Sequence, residues 1–134
     1  MWHRNLAALV LVILILLAGC AQKAEKSYQN VNAGALHGMI QNEKDIVLVD
    51  VREPFELEET GYIPGSVNIP VGQVEKRINE IPRDKKVVII CRSGRRSAEA
   101  AKLLTEKGYT NIYNLEGGIA SWSYNRAQAK KAGD

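Results

Sequence analysis

Residues 86–107 read KVVIICRSGRRSAEAAKLLTEK and carry the strongest structural signal in the chain. The four β-branched residues at 87–90 are typical of a strand that is buried on both faces. From Ala98 onward strong helix formers follow, with their apolar side chains on one side. This pattern predicts a strand, a tight loop and a helix, with Cys91 at the carboxyl end of the strand.

Cys91 is predicted to lie where open parallel sheets bind their ligands, outside the carboxyl ends of the strands. A helix amino-terminus at that place offers unpaired N–H groups and a partial positive charge, and both stabilise a thiolate. Three arginines and a glycine occur within the next five residues, which indicates a cradle for a thiolate or for an anionic substrate. A structural cysteine that merely ends a core strand is the competing interpretation, because free cysteine is often buried. The candidate loop residues are Arg92, Ser93, Gly94, Arg95, Arg96 and Ser97.

Length and composition limit the classes of protein that fit this chain. Its 134 residues allow one domain of ordinary size, with the composition of a globular protein. The formal net charge of +3 is small and gives no reason to expect a nucleic-acid partner. With His3 and His37 as its histidines and with two cysteines, the sequence offers no cluster of metal ligands. We therefore expect neither a metal nor another cofactor.

The amino-terminus has the pattern of a targeting segment. Residues 6–17 form an unbroken apolar run, which is too short for an ordinary spanning helix of about 20 residues, and LAGC closes it at residues 17–20. This resembles a bacterial lipoprotein signal, which implies removal of residues 1–19, lipid on Cys20 and a tether at residues 20–27. The protein would then be extracytoplasmic and anchored to the cell membrane or the outer membrane. An uncleaved amino-terminal anchor is the alternative, and it leaves the compartment the same.

A lipid on Cys20 would leave Cys91 without a disulfide partner in its own chain. An unpaired cysteine in an exported protein is a candidate reactive thiol. The loop N–H groups and the arginines Arg92, Arg95 and Arg96 are both expected to lower the pKa of this thiol. Arg96 is expected to matter least, because it can cap the helix start or face solvent.

Strand and helix signals alternate along the rest of the chain. Further strands are predicted at residues 28–31, 46–49, 66–69 and 111–115, and helices at 33–41, 54–58 and 71–80, with a last helix holding Ile119 and Trp122. Such alternation implies an α/β fold with a mainly parallel central sheet and helices on both faces. The domain is predicted to span residues 28–124, and residues 125–134 read as a polar, frayed tail.

Four motifs, in their order along the chain, are similar to those of single-domain rhodaneses, a family of sulfurtransferases. The motifs are DVRE at residues 50–53, GYIPGSVNIP at 61–70, CRSGRRS at 91–97 and GGIASW at 117–122. The resemblance extends from about residue 28 to residue 122. It departs from the family pattern at Tyr62, where histidine is usual, but this is a turn position and we expect no catalytic consequence.

The resemblance implies a rhodanese-like α/β fold and a sulfurtransferase that moves a sulfane sulfur from an anionic, thiosulfate-like donor to cyanide or a thiol. Cys91 would be the nucleophile that carries the sulfur as a persulfide, surrounded by N–H groups of the loop at residues 92–96. Asp50 and Arg52 would support this loop, the alternative being a strand-end turn with a surface ion pair. The implied partners are the small donor and acceptor, the membrane through Cys20, and a redox or sulfur-relay protein.

Three other activities compete with this one. A cysteine-dependent phosphatase has an arginine six residues after the cysteine, whereas here Ser97 stands at that position and Arg96 comes one residue early. A cysteine protease needs a base, and no motif places His37 near Cys91. A persulfide carrier or binding module that serves a protein partner without rapid turnover is an alternative that the sequence leaves open.

Overall fold

The computed structural model describes residues 27–129, and in this range five strands form one parallel sheet. The strands are β1 (Gln29–Val31), β2 (Ile46–Asp50), β3 (Val67–Asn68), β4 (Lys86–Ile90) and β5 (Ile112–Leu115). Between them lie the helices α1 (Ala33–Asn42), α2 (Pro54–Thr60) and α3 (Arg95–Glu106). The order across the sheet is β1-β5-β4-β2-β3, and each neighbouring pair is parallel. The predicted α/β class and the parallel sheet are confirmed.

Strands β2 and β4 lie next to each other near the middle of the sheet, where their apolar runs are covered on both faces. Side chains 87–90 of β4 have no exposed surface at all. The register pairs Ile46 with Lys86 and Asp50 with Ile90, so the two strands end at the same level. Residues that follow these strands therefore meet at one edge of the sheet, which is where Cys91 lies.

Two hydrophobic cores cover the two faces of the sheet, as the alternation of strands and helices predicts. One core joins Ile89 of β4 to Leu104 of α3, and the other joins Ile90 to Leu36 of α1. Both leucines are fully buried, and burying such a side chain stabilises the fold by roughly 1.5–3 kcal/mol. Helix α1 begins as predicted at Asn32, whose side chain accepts a hydrogen bond from the Ala35 N–H at 2.9 Å.

The prediction of an α-helix over residues 71–80 is wrong. The chain forms two 3₁₀ turns there, Val71–Gln73 and Ile78–Glu80, separated by a turn. The β-branched residues and Gly72 in this segment lower its helix propensity, and short segments of low propensity often adopt 3₁₀ geometry. The apolar stripe still packs inward, with Val74 and Ile81 both buried. The spacing thus identified the buried face correctly while the hydrogen-bond pattern differs.

Two other boundaries differ from the sequence-based expectation. Helix α3 begins at Arg95, three residues before the run of strong helix formers, with Gly94 as its N-cap. The predicted last helix is a single 3₁₀ turn, Gly118–Ser121. Gly117 and Gly118 both have positive φ angles, 76° and 59°, which prevents a regular helical start. The earlier start of α3 brings the loop that follows Cys91 into the first turn of the helix.

The first residues of the predicted polar tail are held against the domain instead of being frayed. Ala127 and Tyr62 exchange two backbone hydrogen bonds of 2.9 Å as an antiparallel bridge. The guanidinium of Arg126 donates to the carbonyl oxygens of Thr60, Ile119 and Trp122 at 2.7–3.2 Å. These contacts connect the end of α2 with the 3₁₀ turn at Gly118–Ser121.

The predicted signal segment and Cys20 lie outside the described residues, as does the end of the tail. Among residues 27–129, no helix combines the length and the apolar character needed to cross a membrane.

Candidate active site

Cys91 directly follows the central strand β4 and lies at the carboxyl edge of the sheet, as predicted. Its backbone oxygen accepts a hydrogen bond of 2.8 Å from the Ile119 N–H, and the Arg92 oxygen accepts one of 3.1 Å from the Ala120 N–H. The glycine-rich segment before Ile119 thus packs directly behind the Cys91 loop. Cys91 itself is buried, with 1% of its surface exposed.

The sulfur of Cys91 is surrounded by hydrogen-bond donors. The Gly94 N–H donates to Sγ at 3.1 Å and the Ser97 hydroxyl donates at 3.2 Å. Burial raises the pKa of the Cys91 thiol, but hydrogen bonds from the Ser97 hydroxyl and from the N–H groups of Ser97, Gly94 and Ser93 outweigh this effect. The pKa of Cys91 is therefore below its ordinary value, and the loop favours a thiolate.

Two glycines allow the loop to close around the sulfur. Gly94 has a φ of 98°, and a Cβ there would lie 3.2 Å from the Gly117 nitrogen and 3.3 Å from the Leu115 oxygen. A Cβ on Gly118 would lie 2.5 Å from the Cys91 and Arg92 carbonyl oxygens. A larger residue at either position would force the backbone of the Cys91 loop to move.

The three arginines of the loop do not share one environment. Arg92 and Arg95 are exposed, whereas both terminal nitrogens of Arg96 bind the two carboxylate oxygens of Glu56 at 2.7 Å. This contact corrects the expectation that Arg96 caps the helix or faces solvent, because its guanidinium is engaged by α2. Hydrogen bonding to Arg96 lowers the pKa of Glu56 to about 2, against the opposing effect of burial.

Asp50 and Arg52 form a buried ion pair, with exposed side-chain fractions of 0% and 1%, and not the surface pair that the alternative interpretation required. Arg52 Nη2 lies 2.7 Å from Asp50 Oδ2 and 2.8 Å from the Gly61 oxygen, and Nη1 donates to Thr60 Oγ1 at 2.8 Å. The guanidinium thus connects the end of β2 to the carboxyl end of α2. This network fixes α2, which in turn presents Glu56 to the loop.

The sequence patterns did not identify Glu56 as a residue of this site. Its local signal was present, since Glu53 and Glu56 form a capping box at the start of α2, but a capping box does not indicate a distant partner. His37 stacks on Tyr124 with ring centroids 3.8 Å apart, so it belongs to an aromatic cluster on α1. In the part of the chain that the structure describes, no group of histidine, cysteine and acidic residues is arranged to hold a metal ion.

Comparison with known proteins agrees with this geometry. The chain is 39% identical over 93 residues to a sulfurtransferase of Allochromatium vinosum, covering 69% of this chain and 86% of that protein. It is 39% identical to the crystal structure of a rhodanese-related protein from Thermoplasma volcanium, with a TM-score of 0.69, covering 76% of this chain and 100% of that one.

A third similarity is to part of a larger protein, an NAD-dependent persulfide reductase from A. fulgidus. The identity is 36% and the TM-score 0.56, over 71% of this chain but only 16% of that chain. Residues 32–125 match the family described as the Rhodanese-like domain. This match spans most of the chain, and with the loop around Cys91 it shows that the protein belongs to the rhodanese-like domain family.

Proposed function

We propose that this protein is a sulfurtransferase that carries a sulfane sulfur as a persulfide on Cys91. The observation that supports this most directly is the pair of hydrogen bonds that Sγ accepts, one from the Gly94 N–H and one from the Ser97 hydroxyl. Such donors stabilise the attacking thiolate and would equally stabilise a persulfide anion.

The proposed first step uses an anionic donor such as thiosulfate. The Cys91 thiolate attacks the outer sulfur of thiosulfate, a bond forms between Sγ and that sulfur, and the bond to the sulfonate sulfur breaks. The electron pair of the broken bond leaves with sulfite as a dianion, and Cys91 retains the persulfide anion. Arg92 and Arg95 are exposed at the loop and supply positive charge for the incoming donor.

A phosphatase reaction fits this loop poorly. The residue six positions after Cys91 is Ser97, which contacts the sulfur, and the guanidinium of Arg96 is bound to Glu56 at 2.7 Å. An arginine held by a carboxylate is not free to clamp a phosphate group with two parallel hydrogen bonds.

The test is intact-mass measurement of the full chain after incubation with thiosulfate. We expect a gain of one sulfur atom, lost again on addition of cyanide, and no gain in a Cys91→Ser variant. If Cys91→Ser gains the same mass, Cys91 is not the carrier. Steady-state thiocyanate formation then separates an enzyme from a persulfide carrier, because a carrier forms the persulfide but turns over slowly with cyanide.

We also propose that the protein is attached outside the cytoplasm through a lipid on Cys20, on the basis of the LAGC sequence that closes the apolar run. A Cys20→Ala variant should accumulate as the unprocessed precursor, whereas Cys91→Ser should be processed normally. Release of a lipid-free mature protein by the unchanged sequence would contradict this proposal.

A further inference from the structure

A cavity of about 230 Å³ lies beside the Cys91 loop, between α2 and the segment that follows β5. Its walls include Glu56 and Glu59 of α2, Arg92 of the loop, Ala120 of the 3₁₀ turn and Arg126. Arg92 is the next residue after Cys91, and Glu56 holds Arg96 at the start of α3. The cavity therefore borders the loop that surrounds the Cys91 sulfur.

Two of the charged groups around this cavity are already neutralised by partners in the domain. Arg52, which also lines the cavity, is paired with Asp50 at 2.7 Å. Glu56 is paired with Arg96 at 2.7 Å. These four charges cancel in pairs, so they do not favour a ligand of either sign.

The other three charged groups of the wall make no ion pair within residues 27–129. Glu59 and Arg92 are exposed, and Arg126 donates to carbonyl oxygens, which leaves its positive charge without a carboxylate. The cavity thus presents two uncompensated cations and one uncompensated carboxylate. A ligand that matches this set carries a carboxylate and an ammonium group.

We infer that this cavity binds the body of a small zwitterionic thiol, such as cysteine or a short cysteine peptide, which accepts the sulfur from Cys91. The carboxylate faces Arg92 and Arg126, and the ammonium group faces Glu59. The volume is below the roughly 300–1,000 Å³ of sites for drug-sized ligands, which fits a ligand of this size. The inference rests on the proposed function for the transfer step, but binding to the cavity does not require it.

The transfer step balances without an added oxidant or reductant. The ligand enters as a thiol and gives its proton to the outer sulfur of the Cys91 persulfide anion. The resulting thiolate attacks this outer sulfur, and a bond forms between the two sulfur atoms. The bond between the outer sulfur and Sγ breaks, and its electron pair returns Cys91 to the thiolate. The proton stays on the outer sulfur, which leaves on the ligand as a hydropersulfide.

Binding is tested with S-methylcysteine, which keeps both charges but cannot accept sulfur. We expect millimolar S-methylcysteine to shift the backbone amide NMR signals of Thr60, Arg92 and Ala120 in the isotope-labelled full chain in detergent. N-acetyl-S-methylcysteine, which lacks the ammonium group, should shift them less. Absence of shifts at these residues would overturn the inference even if Cys91 forms a persulfide. Shifts without persulfide formation would retain the cavity as a binding site and refute the proposed sulfur transfer instead.

Transfer is tested by reacting the preformed Cys91 persulfide with cysteine, cysteamine, 3-mercaptopropionate and 2-mercaptoethanol. Glu59→Gln should lower the second-order rate constants of the two ammonium-bearing thiols by about three- to tenfold, the effect of one charged contact. The other two thiols should change little. Each thiol is compared with itself, so differences in thiol pKa cancel.

Asp84→Asn is the matched control, because it removes one exposed carboxylate just before β4, at the opposite end of the sheet from Cys91. It should leave all four rate constants unchanged. If Glu59→Gln lowers the rate constants of all four thiols equally, or leaves that of cysteine unchanged, Glu59 does not recognise an ammonium group.

Discussion

Ser97 is the residue whose replacement should most directly change the reactivity of Cys91. Its hydroxyl donates to Sγ at 3.2 Å and is fully buried, so water cannot take its place. A hydrogen bond to a charged group is worth about 1.5–3 kcal/mol, and a pKa difference of one corresponds to about 1.4 kcal/mol. We therefore expect Ser97→Ala to raise the pKa of Cys91, so that a smaller fraction of the thiol is ionised at neutral pH.

The measurement is the rate of alkylation of Cys91 as a function of pH, whose midpoint reports the thiol pKa. Ser93→Ala is the matched control, because Ser93 acts on the sulfur through its backbone N–H, which alanine keeps. Its midpoint should stay at the parent value. If Ser97→Ala and Ser93→Ala give the same midpoint, the hydroxyl has no effect on the thiolate.

The position of Cys91 at the carboxyl end of the central strand was predictable from the sequence, but the main cause of its lowered pKa was not. The sequence attributes the low pKa to three arginines as well as to N–H groups, whereas the hydrogen-bonding side chain in the structure is Ser97. A serine side chain can donate to a sulfur six residues away only if the loop has a particular shape. That shape depends on Gly94 at a φ of 98° and on the start of α3 at Arg95, and neither follows from residue spacing.

The ion pair between Glu56 and Arg96 connects α2 to the first turn of α3, and it should make stability depend on acid pH. The pKa of Glu56 is about 2, below the ordinary 4.5, because Arg96 stabilises the carboxylate. As the pH falls, the unfolded chain therefore takes up a proton on this carboxyl before the folded protein does. The resulting contribution to the free energy of unfolding is up to about 3 kcal/mol and is complete above about pH 5. It is lost as the pH falls toward 2.

Glu56→Gln should remove this contribution and flatten the slope of stability between pH 5 and the folded-state pKa of about 2. Urea unfolding at a series of pH values gives the free energy of unfolding at each pH and so measures this slope. Glu106→Gln is the control, since Glu106 is exposed on α3 and its Oε1 lies 3.9 Å from Nζ of Lys102, which is also exposed. A Glu56→Gln curve parallel to that of the parent protein would mean that the pair does not stabilise the fold.

Most of the regular elements follow from local sequence signals. The apolar runs predicted β2 and β4, and the N-cap residue Asn32 predicted the start of α1. An apolar stripe does not distinguish an α-helix from the 3₁₀ turns that form at residues 71–80, because a short 3₁₀ segment can bury the same side chains. The Glu56–Arg96 contact joins residues 40 positions apart in sequence, and no local pattern indicates such a partner.

The parallel sheet separates the predicted tether from Cys91. Gln29 of β1 is aligned with Tyr113, which is aligned with Val88, so β1 begins at the level of the middle of β4 and the chain before it lies toward the start of β4. Cys91 follows the other end of β4. From the level of Gln29 to Cys91 the sheet extends about 10 Å along the strand direction. A lipid on Cys20 would therefore attach the domain through the edge of the sheet that is farther from Cys91.

We expect membrane attachment to leave Cys91 accessible to a large soluble reagent or partner. The tether at residues 20–27 can span at most about 29 Å, and it joins the domain at the edge of the sheet opposite to Cys91, so the loop has room to face away from the lipid surface. Alkylation of Cys91 by a polymer-linked maleimide should proceed equally fast in vesicle-anchored protein and in a lipid-free variant that begins at Ala21. Asp84→Cys in a Cys91→Ser background places the reactive thiol at the opposite edge, and anchoring should slow its alkylation. If anchoring slows Cys91 as much as the cysteine at position 84, the domain does not keep this orientation and the loop is not directed toward soluble partners.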